Sequence, residues 1–225
     1  MKISMTKQEI RLGWCFFLLY IFVIPIVIDF VGIALRLSLT GLNILYFIVN
    51  FVCIVAIFHR FLWVSTKSAL AKPLKSLQFV LMGLGVNILC SLLVSVIITP
   101  WIHPDFSNVN DQAILAMSNT HTALFIFCTV VLVPITEELV FRGLTFGTIY
   151  KKHPRLALFV SVLIFASIHL LDYIGTADWK TLLVCFLQYL PAGFSLAWAY
   201  GVSENIMTPI LIHIINNAIA MASLR

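Results

Sequence analysis

Apolar residues run along this chain in long unbroken blocks, with polar residues gathered between them. A helix that crosses a bilayer needs about 20 apolar residues. Seven blocks meet or approach that length: 12–35, 41–64, 77–99, 123–149, 156–173, 181–200 and 206–223. The pattern predicts an all-α fold, a polytopic transmembrane helical bundle of about seven spans. The fifth and seventh blocks are short, and a re-entrant one would change the count. The first block is longer than a signal-peptide core and reads as a true span. No internal repeat and no paired broken helices are found, which argues against a transporter.

Composition strengthens the membrane reading. The chain is 61% hydrophobic and 10% charged, where a soluble domain carries about 25% charged residues. Residues 1–225 therefore read as a single integral-membrane domain. The formal charge of +5 follows from topology. One set of connecting segments holds Lys2, Lys7 and Arg11, then Arg60, Lys67, Lys72 and Lys75, then Arg142, Lys151, Lys152 and Arg155. The alternate segments hold Arg36, Lys180 and Arg225. The positive-inside rule then places the N-terminus in the cytoplasm and, after seven spans, the C-terminus outside a plasma membrane. Segment 100–122, with Asp105 and Asp111 and no Lys or Arg, falls outside. The basic segments suit acidic lipid headgroups, and no basic run is long enough for nucleic acid. Five cysteines lie within spans without CxxC spacing and read as packing residues.

Polar residues inside the spans carry the candidate chemistry. Asn43, Asn50 and Asn87 can hydrogen-bond between helices, and Asp29 reads as interfacial. Segment 134–142, Pro-Ile-Thr-Glu-Glu-Leu-Val-Phe-Arg, places two carboxylates and an arginine in an otherwise apolar run. A charge near the bilayer centre costs roughly 2.5–3.5 kcal/mol and marks a protein interior or a wet cavity. Glu138 and Arg142 are i and i+4 and can pair on one helix face, while Glu137 points about 100° away. A structural ion pair would account for Glu138 and Arg142 but would leave Glu137 over. Pro134 should bend the helix and leave a carbonyl unpaired near the carboxylates, although proline is also common in membrane helices. The fifth block holds Phe165 and His169 one turn apart. By itself His169 has a plain alternative, a hydrogen bond to a neighbouring helix. The seventh block holds His213 and Asn217, again i and i+4, behind a Thr208-Pro209 helix start. The sixth block, with Pro191, Gly193 and Ser195, offers close packing and no visible chemistry.

Depth brings these groups together. Counted at 1.5 Å per residue from the basic side, Glu137, His169 and Asn217 each lie roughly 20 Å deep, with His213 about 6 Å shallower. Two carboxylates, two histidines and an asparagine at similar levels can activate water and hold an oxyanion, which amounts to amide hydrolysis. Glu137, His169 and His213 can instead be read as three zinc ligands with an open position. No nucleophile elbow, Ser-Lys pair or His-Glu-x-x-His motif is present.

Glu137-Glu138-xxx-Arg142, Phe165-xxx-His169 and His213-xxx-Asn217, in this order on successive spans, resemble the CAAX protease and bacteriocin-processing enzyme family, also called CPBP or Abi. The likeness covers a protease-like core of about 123–222. It implies an α-helical membrane fold and cleavage of a peptide or protein substrate in or at the bilayer. It also implies roles. Glu137 and His169 would activate the water, His213 and Asn217 would stabilise the oxyanion, and Glu138 with Arg142 would shape and orient the site; Phe165, one turn before His169 on the same face, could wall the pocket. It leaves open a divalent metal such as zinc on Glu137, His169 and His213. The ligand spacing is not diagnostic of metal, which favours a glutamate-activated water. The competing function is a non-catalytic membrane scaffold or a bacteriocin self-immunity protein that uses the same pocket for binding.

Overall fold

The computed structural model describes residues 4–118 and 122–223. Lys2 and Arg225, both used in the charge argument, lie outside the described residues. Every regular element described is helical. The order is α1 (Lys7–Leu35), α2 (Leu39–Leu70), α3 (Pro73–Ile102), α4 (Val109–Ser118), α5 (Ala123–Tyr150), α6 (Pro154–Ile168), α7 (Trp179–Ser203) and α8 (Met207–Ser223). Helices α1, α2, α3, α5 and α7 are long and apolar enough to cross a membrane, while α6 and α8 are apolar but shorter. The chain is thus an all-α integral membrane protein, and each of the seven apolar blocks meets a helix.

Three of the long helices widen to π geometry just before a proline. Leu19–Val23 precedes Pro25, Leu93–Ile98 precedes Pro100, and Cys128–Leu132 precedes Pro134. Proline has no N–H to give to the preceding turn and its ring crowds that turn's carbonyl. One wider turn relieves the clash and keeps the helix continuous. A second wide stretch, Leu139–Phe146, follows the two glutamates. There Thr145 Oγ1 donates to Val140 O at 3.0 Å and Ser161 Oγ donates to Phe141 O at 3.1 Å. Hydroxyls thus take up carbonyls within the widened stretch.

Helix α5 occupies the centre of the bundle. Its most apolar window is 56% buried, against 22%, 17% and 11% for α1, α2 and α3. It packs against α1, α2, α6, α7 and α8. The outer surface is apolar, with Phe22, Ile33, Leu89 and Val96 among the exposed side chains, as a lipid-facing surface requires. Helix α7 packs along α3 and α6. At Gly193 an added Cβ would meet Val162 Cγ1 at 3.3 Å and Phe165 Cδ1 at 3.4 Å, so a side chain there would press α6 away from α7 by a few tenths of an ångström.

Several local expectations are corrected. The block 156–173 does not stay helical: α6 stops at Ile168, and a 3₁₀ turn, Leu171–Tyr173, leads to Gly175 at φ +89°. Asp178 then starts α7 by accepting from the Lys180 and Thr181 N–H groups at 2.9 and 3.2 Å. Helix α8 begins at Met207, whose N–H is capped by Asn205 Oδ1 at 2.9 Å, so Thr208 lies inside the helix. Cys15 and Cys53 are exposed and do not pack inward. Asn87 bridges helices by accepting from Ser195 at 3.4 Å. Asn43 and Asn50 instead donate to carbonyls one turn back on their own helix. Asp29 is exposed near the end of α1, as an interfacial residue would be.

Candidate active site

Glu138 and Arg142 are both fully buried, and Arg142 Nη1 donates to Glu138 Oε1 at 3.1 Å. The other guanidinium arm, Nη2, donates to Gly193 O at 3.1 Å, and the guanidinium carbon lies 4.3 Å from the centre of the Phe165 ring. An isolated buried charge would cost several kcal/mol, and the cost is met only when charges pair and their remaining hydrogen-bonding groups are satisfied. Here α7 supplies one of the required acceptors. The sixth block therefore does contribute to the site, through a backbone carbonyl that no side-chain pattern reveals.

Glu138 Oε1 also faces His213 Nδ1 at 2.8 Å. An oxygen that already accepts from Arg142 is an acceptor, so the hydrogen lies on His213 Nδ1 and the lone pair on Nε2. His169 Nδ1 lies 2.8 Å from Phe165 O. A carbonyl can only accept, so His169 also presents a lone pair at Nε2. Both Nε2 atoms stand 3.9 Å from the same atom, Glu137 Oε2. That oxygen is buried and finds no hydrogen-bond partner among the described residues.

Three acceptors thus converge on one point from α5, α8 and the end of α6. The 3.9 Å separations are too long for direct hydrogen bonds. An oxygen about 2.8 Å from both members of such a pair would sit between them at roughly a right angle. That is the geometry of a bound water. The donor chemistry also suits zinc, because each histidine has its other nitrogen held by an oxygen. The spacing does not. Tetrahedral ligands about 2.0–2.1 Å from zinc lie roughly 3.4 Å apart. Among the described residues no three His, Cys, Asp or Glu side chains gather closely enough to hold a metal ion.

Asn217 is placed by a different route. Its Nδ2 donates to Thr129 O at 3.0 Å. Thr129 lies five residues before Pro134, in the π turn, where the missing proline N–H would otherwise have been the partner. The carbonyl expected to be left unpaired is therefore taken by Asn217, which ties α8 to α5. An amide nitrogen carries two hydrogens, so one remains for another acceptor. Neighbouring Asn216 has a buried Nδ2 without a partner.

These residues line a cavity of about 430 Å³ that Phe165, His169, Tyr189 and Asn217 share with Glu137. Tyr189, which the sequence did not single out, stacks on His169 with ring centres 4.2 Å apart. Residues from the first half of α2, α5 and α7 and the second half of α1, α6 and α8 form the walls. The cavity therefore occupies the end of the bundle away from Lys72 and Lys151. Helix α4 forms its roof through Asn110, Asp111 and Ile114. Polar contacts hold the roof: Asn108 to Gln188 at 3.0 Å and Tyr173 to Asn110 at 3.3 Å.

Comparison with known proteins finds two likenesses to peptidases. Residues 119–219 match the family described as type II CAAX prenyl endopeptidase Rce1-like. A candidate membrane peptidase of Bacillus subtilis (strain 168), YdiL, is 34% identical over 109 residues, which is 48% of this chain and 40% of that relative's length. No solved structure matches the chain. The matched stretch contains all three motifs and the convergence point between them. Over residues 119–219, slightly under half of its length, this chain is similar to the type II CAAX prenyl endopeptidase Rce1-like family, and the chain spans well under two thirds of the curated relative it matches.

Proposed function

We propose that the chain is an intramembrane endopeptidase that hydrolyses a peptide bond of a membrane-associated protein or peptide with a water activated by Glu137. The observation that carries this reading is the convergence of two histidine Nε2 atoms on the unpartnered Glu137 Oε2, each at 3.9 Å. Glu137 Oε2 takes a proton from the water while His169 Nε2 accepts its second hydrogen and orients it. The water oxygen bonds to the scissile carbonyl carbon, and the carbonyl oxygen takes up the negative charge. The free N–H of Asn217 donates to that oxyanion, while His213, whose Nε2 carries a lone pair, faces the water beside His169. Glu138 accepts from His213 Nδ1 and fixes that ring, and Arg142 holds Glu138 in place. As the C–N bond breaks, Glu137 returns its proton to the leaving amine nitrogen. Each step is carried by the protein's own groups.

The same reading sets the direction of access. With the N-terminus cytoplasmic, the end of the bundle that carries the cavity and α4 faces outward. The substrate then reaches Glu137 from the outer half of the bilayer.

The experiment compares wild type with Glu137→Ala at equal membrane levels in a strain lacking the gene, with peptide termini read by mass spectrometry. Termini found only with wild type are the expected result. Identical termini together with a phenotype rescued by Glu137→Ala would overturn the reading in favour of a binding role.

A further inference from the structure

A second cavity, of about 240 Å³, lies at the opposite end of the bundle, beside the basic segment that follows α5. The start of α1 and the end of α5 wall it, and Tyr200 reaches it from α7. Tyr200 is 2% exposed, and its hydroxyl makes no hydrogen bond with any described residue. A buried phenol needs an acceptor for its hydrogen. That hydroxyl lies 3.7 Å from where a Cβ on Gly147 would stand. Gly147 lines the cavity, so the room left by its missing side chain lies directly before the hydroxyl. Lys151 lines it too, one helical turn beyond Gly147, and makes no ion pair with any described residue. Residues four apart have Cβ atoms about 5–6 Å apart on one face, a gap that a lysine side chain spans. The ammonium and the phenol hydrogen therefore serve one space. Among the described residues no Asp or Glu lines it. Glu9 is taken by Arg60 Nη2 at 3.2 Å and by the Phe61 N–H at 3.1 Å. Glu204, whose charge Tyr200 feels, lies outside the lining. The remaining wall is largely apolar, with Ile10, Trp14 and Phe61, and Trp14 is 37% exposed towards the bilayer.

Positive charge, a desolvated hydroxyl donor and an apolar wall that opens to the bilayer match one class of ligand. We propose that this crevice binds an anionic phospholipid, with its phosphate held by Lys151 Nζ and Tyr200 Oη and the upper part of an acyl chain against Trp14. Basic pockets between membrane helices recognise anionic headgroups through these groups, and a tryptophan at the interface sits at headgroup level. The lipid bridges α1, α5 and α7 at the end of the bundle away from Glu137. Nothing in the proposal uses Glu137, so it stands apart from the endopeptidase reading.

The test is native mass spectrometry of the full-length protein in detergent, titrated with dioleoyl phosphatidylglycerol, dioleoyl phosphatidylcholine or glycerol phosphate. The first phosphatidylglycerol should bind about tenfold tighter than the first phosphatidylcholine, the scale of one hydrogen bond to a charged group. Lys151→Gln should erase that preference. Tyr200→Phe removes only the hydroxyl and should weaken phosphatidylglycerol about fivefold, one ordinary hydrogen bond. Lys152→Gln changes the neighbouring lysine, which lies outside the lining, and should leave the preference unchanged. Lys151 is exposed, so its variant tests the site even if Tyr200→Phe misfolds. Equal losses in Lys151→Gln and Lys152→Gln would show charge attraction without a site and overturn the proposal. No preference in wild type, or an unchanged one in Lys151→Gln, would do the same. Glycerol phosphate should not displace the lipid at equal concentration, because it lacks the acyl chain. Displacement by it would overturn the lipid in favour of a soluble phosphate ligand.

Discussion

At the scale of single residues, adjacent Glu137 and Glu138 divide two tasks. Glu138 is fully buried and shared between Arg142 and His213. Glu137 keeps Oε2 free of any hydrogen-bond partner among the described residues. Replacing each by Gln should therefore separate activity from stability. Glu137→Gln is expected to lower cleavage by about 10²–10⁴-fold, the usual contribution of a general base, with little change in thermal unfolding in detergent. Glu138→Gln leaves Arg142 buried without a carboxylate and should cost about 3–5 kcal/mol of stability. Equal unfolding temperatures for the two variants would contradict this division. The pairing of Glu138 with Arg142 was legible from i, i+4 spacing alone. The hydrogen bond from His213 to Glu138 was not, because it joins residues 75 positions apart.

At the scale of elements, the π turn before Pro134 links helix geometry to the site. It frees the Thr129 carbonyl, and Asn217 takes it at 3.0 Å. Pro134→Ala restores a backbone N–H and should let the turn tighten. The contribution of Asn217 then depends on Pro134. In the wild-type background Asn217→Ala should destabilise by about 1 kcal/mol, one ordinary hydrogen bond. In the Pro134→Ala background it should cost measurably less, and a double-mutant cycle reads the difference. Additive effects would show that Asn217 does not answer the carbonyl freed by the proline. The sequence led to a freed carbonyl near the carboxylates, because a proline's missing donor is a local fact. Which side chain accepts that role depends on the neighbour that packs there, and α8 is more than 70 residues away in sequence.

At the scale of the whole molecule, the two ends of the bundle differ. The cavity lies at the end of the bundle roofed by α4, and the dense basic segments lie at the other end. In a cysteine-free background, a single cysteine at Asp105 should react with a membrane-impermeant maleimide in intact cells. One at Lys72 should react only after the membrane is opened. The reverse pattern would turn the protein over and place the cavity on the cytoplasmic side. Helix α4 was not anticipated within segment 100–122. It is ten residues long with Asn110, Asp111 and Gln112 in it, so it has neither the length nor the apolarity by which a membrane span is recognised.

The sequence by itself determined the helical membrane class, the seven apolar segments and the spacing of the three motifs. A bilayer forces backbone groups into helices and demands long apolar runs, and helical periodicity fixes which residues share a face. The tertiary structure alone decided which partner each polar group took. It brought Gly193 to Arg142, Tyr189 to His169, Asn217 to Thr129, and the roof with Asp111 over Glu137. Those choices follow from which helices are neighbours and how close they come. In a nearly uniform apolar background, neighbour order is set by packing across the bundle and leaves no mark in any local stretch of sequence.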